Sequence, residues 1–441
     1  MVNETVRPFT TQRKIGISAI LYLIYTSYYI SGYSSRSHNY VLVALFAAWA
    51  VMAFLEDMNS FRNAFDSAAM MWAIIFIGYY FLTSFLYGDI INTMEYVAKY
   101  IMLFSCVLQF KYYKIRDNYK EILFIVISIL VVWAFFAIKA ILFYIAVPTA
   151  ARIIASDFYA FDNIAIGGGY AIAFGSAILC VYLFERLINT KFYKKSGKSI
   201  FYTLTITIAL IVILFFLLIK TESTLTLIGC TLGIMCSVIR RIWRGDGKRQ
   251  AVNRFVLIFV LFTVSLFVLL NVQEIGQWII IMTKDRQNST IFRRLYRIGQ
   301  KMAVLGTGSK YINYIDERFE YIVQSWKTFL KNPIIGVGFK SGNIYSNLEK
   351  NGVGTHSAIC DMLAQHGVIG FFFIVMFFIK ALKKECWVKH NTYVVTMIFM
   401  CFVNPFEYFH GYLAMFTVIP ILEMFNKDWY IQEKQPTNKT I

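Results

Sequence analysis

Twelve apolar stretches, most of them close to 20 residues, run through this chain, joined by short polar connections save one long one, near 15–32, 39–55, 67–87, 92–110, 121–147, 163–184, 200–219, 223–239, 255–275, 357–379, 391–404 and 411–425. A helix needs about 20 such residues to cross a hydrocarbon core. In lipid every backbone amide and carbonyl must be satisfied within the protein, which leaves helices or closed barrels as spanning structures. Stretches this long and continuously apolar specify helices. Composition agrees, because 58% of the 441 residues are hydrophobic and only 15% are charged, against roughly 25% charged in soluble domains. That balance excludes an ordinary water-soluble enzyme, and the long non-repeating blocks with six prolines exclude disorder, collagen and coiled coil. The fold class expected is all-α: a polytopic membrane protein of about twelve spans with one large outward loop carrying short amphipathic helices. The apolar run from Ile15 is too long for a secretory leader and reads as the first span.

The net charge of +18 would suggest nucleic acid in a soluble protein, but here it sits in connections between apolar blocks. Residues 111–120, 185–199, 240–254 and 380–390 are each basic in excess, the third through Arg240, Arg241, Arg244, Lys248, Arg249 and Arg254 against Asp246. With twelve spans these four fall on one side, and Lys/Arg excess in short loops marks the cytoplasm. Both termini are then cytoplasmic and no nucleic-acid partner is expected. The organisation follows as an N-terminal bundle of about nine spans (1–275), a large extracytoplasmic basic loop (276–356), the C-terminal spans (357–425) and a cytoplasmic tail (426–441). The seven cysteines show no metal-ligand spacing, so no metal and no disulfide framework is expected.

The large loop departs from the topology pattern. It carries twelve Lys/Arg against five acids, and loops of that length escape the charge rule, so the charge has another cause. A basic segment held outward at a membrane surface suits anions, including phosphate-bearing lipids. Within it Phe319, Ile322, Val323, Trp326, Phe329 and Leu330 recur at helical spacing over 317–330, which predicts an amphipathic helix on the bundle or in the interface, ended by Asn332-Pro333. Arg318 stands at the edge of its apolar stripe, where a buried stem leaves the guanidinium free to meet a polar group. Beyond it come Gly336, Gly338, Gly342, Gly352 and Gly354, then His356-Ser357 at the start of the tenth span, with Asp361, Gln365 and His366 just inside it. A histidine in that position is well placed for proton transfer, and Asp361 with His366 reads as a buried polar pair.

The run from Arg318 through Asn332-Pro333-Ile-Ile-Gly336-Val-Gly338-Phe339 to His356-Ser357, followed after nine residues by Gly367-Val-Ile-Gly370, resembles the O-antigen ligase and polymerase superfamily of bacterial surface-polysaccharide assembly. It fits that family's His-(Asn/Ser/Gln)-x9-Gly-x-x-Gly pattern. Arg152 and Asn163 are similar to the family's upstream Arg…Asn segment. The family's Ser-Arg-Gly/Ala reads Glu222-Ser223-Thr224-Leu225 here, and Lys220 is the residue that would replace its arginine.

The resemblance implies a glycosyltransferase of the bacterial cytoplasmic (inner) membrane that moves a glycan from an undecaprenyl-diphosphate carrier to a sugar hydroxyl, without metal or other cofactor. In those terms Arg152 and Arg318 clamp the diphosphate and His356 acts as base or orients the acceptor. Arg293, Arg294 and Arg297, with Lys220, contact lipid phosphate or glycan, and Trp326 and Tyr345 stack on sugar rings. The polymerisation of lipid-linked repeat units into O-antigen or capsule is the leading expectation. A ligase using a lipid A core acceptor is the near alternative, and a transporter of the same lipid is the distant one. Membrane lipid and a chain-length regulator protein are the further partners implied.

Overall fold

The computed structural model describes residues 14–30, 36–86, 90–146, 169–189, 197–220, 224–243, 252, 271–287, 290–304, 317–338, 352–354, 357–386, 388, 391–403 and 409–424. All regular structure among them is helical. The helices are α1 Ile17–Ile30, α2 Arg36–Glu56, α3 Met58–Phe65, α4 Ala68–Leu86, α5 Ile90–Arg116, α6 Tyr119–Ala146, α7 Gly169–Ile188, α8 Gly197–Lys220, α9 Thr224–Trp243, α10 Val272–Thr283, α11 Thr290–Val304, α12 Glu317–Lys331, α13 Ala358–Lys380, α14 Tyr393–Val403 and α15 Phe409–Leu413. The last continues through a π turn, Ala414–Val418, to residue 424. Each expected span outside 255–275 carries a described helix, and 255–275 itself lies largely outside the described residues. Among the described residues, four helical segments have both the length and the apolarity to cross a membrane: Ala68–Leu86, Lys120–Leu142, Leu225–Trp243 and Ala358–Lys383.

Burial separates inner helices from outer ones. Residues 102–110 of α5, 172–183 of α7 and 410–421 of the C-terminal helix are buried almost without a break. By contrast α6 presents Ile127, Val131, Phe135, Ile138 and Leu142, each more than half exposed. Their spacing of three and four residues makes one apolar stripe along the helix. A continuous apolar stripe along a helix of this length is what lipid, as solvent, accommodates.

Two connections differ from expectation. The basic loop read over 111–120 is helical to Arg116 and shrinks to Asp117 and Asn118, with Asp117 at φ +52 making the turn. The physical reason is a buried charge cluster. Arg116 Nη1 lies 2.5 Å from Glu56 Oε2 and Nη2 lies 3.3 Å from Glu121 Oε1, while Glu56 also accepts from Ser18 N and Oγ, and Glu121 from Gly16 N. The cluster thereby joins α1, α2, α5 and α6. Burial pushes the Glu56 carboxyl up, but the donors from Ser18 and Arg116 outweigh it and hold it below its ordinary value. Its contribution to stability is therefore present above the ordinary carboxylate pKa and is lost as pH falls through the lowered one. Lysine at position 116 offers one ammonium where a planar fork serves two carboxylates, so Arg116→Lys should cost about 2 kcal/mol, read as a lowered unfolding temperature of the purified protein. An unchanged temperature would remove the cluster as a source of stability. The second difference is α3, eight residues that no apolar block announces. Its signal was the Asp57 carboxylate, which accepts from Ser60 N at 3.0 Å as an N-cap.

Candidate active site

The helix expected over 317–330 is present as α12 and packs against α13. Its inward face, however, is not centred on the stripe read from periodicity. Ser325 and Thr328 are fully buried, whereas Trp326 and Leu330 are exposed. The hydroxyls face inward because they have partners there. Ser325 Oγ donates to Asp361 Oδ1 at 2.5 Å and accepts from Gly354 N at 2.8 Å, and Thr328 Oγ1 donates to the Gly352 carbonyl at 2.8 Å. Gly354 runs so close to α12 that an added Cβ would stand 2.0 Å from the Tyr321 carbonyl oxygen, so only glycine fits there.

α13 begins at Ser357, whose hydroxyl accepts from Cys360 N at 3.2 Å as an N-cap. One turn in, Asp361 Oδ2 accepts from Ser357 N at 3.0 Å. Nine residues after His356-Ser357, at Gly367, the helix breaks, with φ +62 and ψ −170. In a continuous helix Val368 N would donate to Ala364 O, and Ile369 N to Gln365 O. Here residues 333–338 are inserted into both bonds. Val337 N and Gly338 N donate to the carbonyls of Ala364 and Gln365 at 3.0 and 2.9 Å, while Val368 N and Ile369 N donate to those of Pro333 and Ile334 at 2.8 and 3.3 Å. Every donor and acceptor freed by the break is taken up, as burial requires. The crossing needs positive-φ backbone at Gly336, Gly338 and Gly367, whereas at Gly370 an added Cβ would stand 2.5 Å from His366 Cβ and 2.7 Å from Tyr79 Cε1.

Tyr79 of α4 staples the break from outside, its hydroxyl 2.7 Å from the His366 carbonyl and 3.3 Å from that of Ile335. His366 is buried with Nε2 2.9 Å from Tyr100 Oη, among the rings of Phe76, Tyr80 and Tyr100. The Asp361 and His366 pair expected from sequence therefore resolves into two separate sites, Asp361 serving the loop and His366 the bundle interior. Neither Tyr79 nor Tyr100 was anticipated as a partner of the motif, since a tyrosine in an apolar helix carries no local signal beyond a membrane-interface preference.

The other residues singled out by sequence divide as follows. His356, Arg152 and Tyr345 lie outside the described residues; Gly354 and Ser357, which flank His356, lie within them. Arg318 is on the first turn of α12, Lys220 ends α8 and Arg294 lies in α11. Arg293 donates through Nε and Nη2 to the Gln287 carbonyl at 3.1 and 2.9 Å, closing the turn between α10 and α11. Arg286 lies 5.6 Å from the Phe292 ring centroid, and Arg297 is exposed on the same hairpin. Trp326 is exposed, its ring centroid 5.2 Å from that of Phe329. So the structure brings Ser325, Gly354, Ser357 and Asp361 together with the glycine clasp.

No curated protein matches the chain. A family comparison does: residues 209–375 match the family model for O-antigen ligase. The matched segment runs from within α8 to within α13 and contains Arg318, the clasp and His356. Over that segment, somewhat more than a third of its length, the chain is similar to the O-antigen ligase family.

Proposed function

We propose that this protein is a polymerase that joins undecaprenyl-diphosphate-linked oligosaccharide repeat units on the outer face of the bacterial cytoplasmic membrane. The observation that carries the reading is that Gly354 and Ser357, the described residues nearest to His356 in sequence, are hydrogen-bonded to Ser325 and Asp361 within the segment that matches the O-antigen ligase family. The chemistry asks for two things. An acceptor sugar hydroxyl attacks the anomeric carbon of the donor, the bond from that carbon to the diphosphate oxygen breaks, and the lipid diphosphate leaves with the electron pair. Its developing charge calls for planar guanidinium donors, the role of Arg318 and Arg152. The proton of the acceptor hydroxyl passes to His356.

The family's description favours a second reading, a ligase that transfers the glycan to a lipid A core. The two share a donor and differ in acceptor. Purified protein incubated with lipid-linked repeat units alone should give a ladder of lengthening glycans on a gel. Product formed only when a lipid A core acceptor is added would establish the ligase, and no product from folded protein under either condition would overturn both readings.

A further inference from the structure

We propose that Trp278, Ile281 and Met282 on α10, with Lys284 and Arg286 just beyond its end, form a surface that binds anionic phospholipid in the headgroup layer of the membrane; the proposal does not depend on the glycosyl-transfer reading above. Residues 278–282 are five apolar side chains in succession, Trp-Ile-Ile-Ile-Met, so more than a full turn of α10 is apolar on every side. A helix of that character is covered all round by protein or by lipid. α11 covers one side. Gly276 and Gly299 let the two helices meet so closely that a Cβ at 276 would stand 2.4 Å from Ala303 N, and one at 299 would stand 3.0 Å from Ile279 Cγ2. The opposite side is open: Trp278, Ile281 and Met282 are 60, 71 and 54% exposed. Three and four residues apart, they lie on one face. The 3₁₀ turn Lys284–Arg286 carries on from the helix, and its three side chains are exposed.

Size and charge name the occupant. Three side chains fall far short of the roughly 20–30 residues a side that a stable protein interface engages, so a second copy or a protein partner is not what this edge is built for. A tryptophan beside cations is the pattern of a bilayer interface, and Trp278 follows within one turn of the apolar stretch that ends near 275. Lys284 and Arg286 stand three and four residues beyond Ile281 and Met282, about 5 Å along the axis. An interfacial helix sinks its apolar face about 5–10 Å into the boundary between headgroups and acyl chains, so that offset sets the cations at the level of the phosphates. There the guanidinium pairs with two phosphate oxygens and the ammonium acts as a point charge. Asp285 lies between them, but the sequence from 271 to 304 holds six Lys/Arg against two acids, and that excess complements an anionic surface.

The test reads tryptophan fluorescence of the full-length protein in vesicles and needs no enzymatic activity. The difference between wild type and Trp278→Phe isolates the emission of Trp278, and Trp278→Tyr supplies the same difference should the phenylalanine variant not fold. In vesicles of phosphatidylglycerol and phosphatidylcholine whose acyl chains carry bromine close to the headgroup, that emission should be quenched by about half or more, as expected of a ring at the headgroup boundary. In vesicles of brominated phosphatidylcholine alone the quenching should be weaker. The double variant Lys284→Gln, Arg286→Gln should show this weaker quenching even with phosphatidylglycerol present, and high salt should act on the wild type in the same direction. A Trp278 emission that bromine leaves unquenched, whether the ring stands in water or is covered by a second copy, would overturn the proposal. Quenching of equal strength with and without phosphatidylglycerol, or undiminished in the double variant, would overturn it as well, because the cations would then have no part in holding the edge at the membrane.

Discussion

Alanine at position 367 should destabilise the protein by about 4 kcal/mol or more, enough to deplete folded protein from the membrane. Two costs act at once. The backbone there has φ +62 and ψ −170, a region essentially reserved to glycine that costs an L-residue roughly 1–3 kcal/mol. The added Cβ would also stand 2.2 Å from the Ile334 carbonyl oxygen and 2.4 Å from its carbon. Those are backbone atoms held by the Ile369 N–H, so no flexible side chain can swing aside, and the clasp must open. Opening breaks four backbone hydrogen bonds, two of them between the buried residues Val337 and Ala364 and Gly338 and Gln365, and leaving buried groups without partners is the expensive direction for hydrogen bonds. Gly336→Ala should behave alike, since φ is +74 and its Cβ would lie 2.4 Å from the Gln365 carbonyl. Gly78→Ala serves as control, because a Cβ at 78 meets nothing within 4 Å, and it should leave stability within about 0.5 kcal/mol. Thermal unfolding of the three variants in detergent checks this. A Gly367→Ala protein as stable as Gly78→Ala would mean that α13 passes position 367 without the break.

How far the sequence discloses this arrangement depends on the range of the interaction concerned. The helices of the bundle follow from apolar length alone, since hydrocarbon thickness is a local rule applied to a local stretch. The bounds of α12 follow from periodicity and from Pro333. Its orientation does not, because Ser325 and Thr328 turn inward to satisfy Gly354 and Gly352, residues 24 to 29 positions away, and no periodic pattern carries such a pairing. The glycines of 336–338 and 367–370 are visible as permissive backbone, yet that one set is threaded into the break of the other is a tertiary fact. The charged residues near 116 mislead in the opposite sense, since Arg116 reads as a loop cation and is a buried helical one. Arg293, expected to contact phosphate or glycan, donates through Nε and Nη2 to the Gln287 carbonyl, a local turn contact that the sequence does not announce, while Arg297 is the exposed cation among the described side chains of that arginine trio.

His356→Ala should reduce glycan transfer by roughly a hundredfold to ten-thousandfold, the span expected for losing a positioned general base, with protein level and unfolding temperature unchanged. Stability should be indifferent because the described hydrogen bonds between α12 and the start of α13 use Gly354 N, Ser357 N and the side chains of Ser325 and Asp361, none of them the histidine. The donor should still bind, since its diphosphate is held by guanidinium groups under this reading, so the loss belongs to kcat. Glutamine separates the two roles open to the histidine. It offers a hydrogen-bond donor and acceptor but takes no proton. A His356→Gln protein as inactive as the alanine variant, with activity partly restored by added imidazole, marks the base. One that keeps most of its rate marks a residue that only orients the acceptor hydroxyl. Wild-type transfer by His356→Ala would remove the histidine from the reaction.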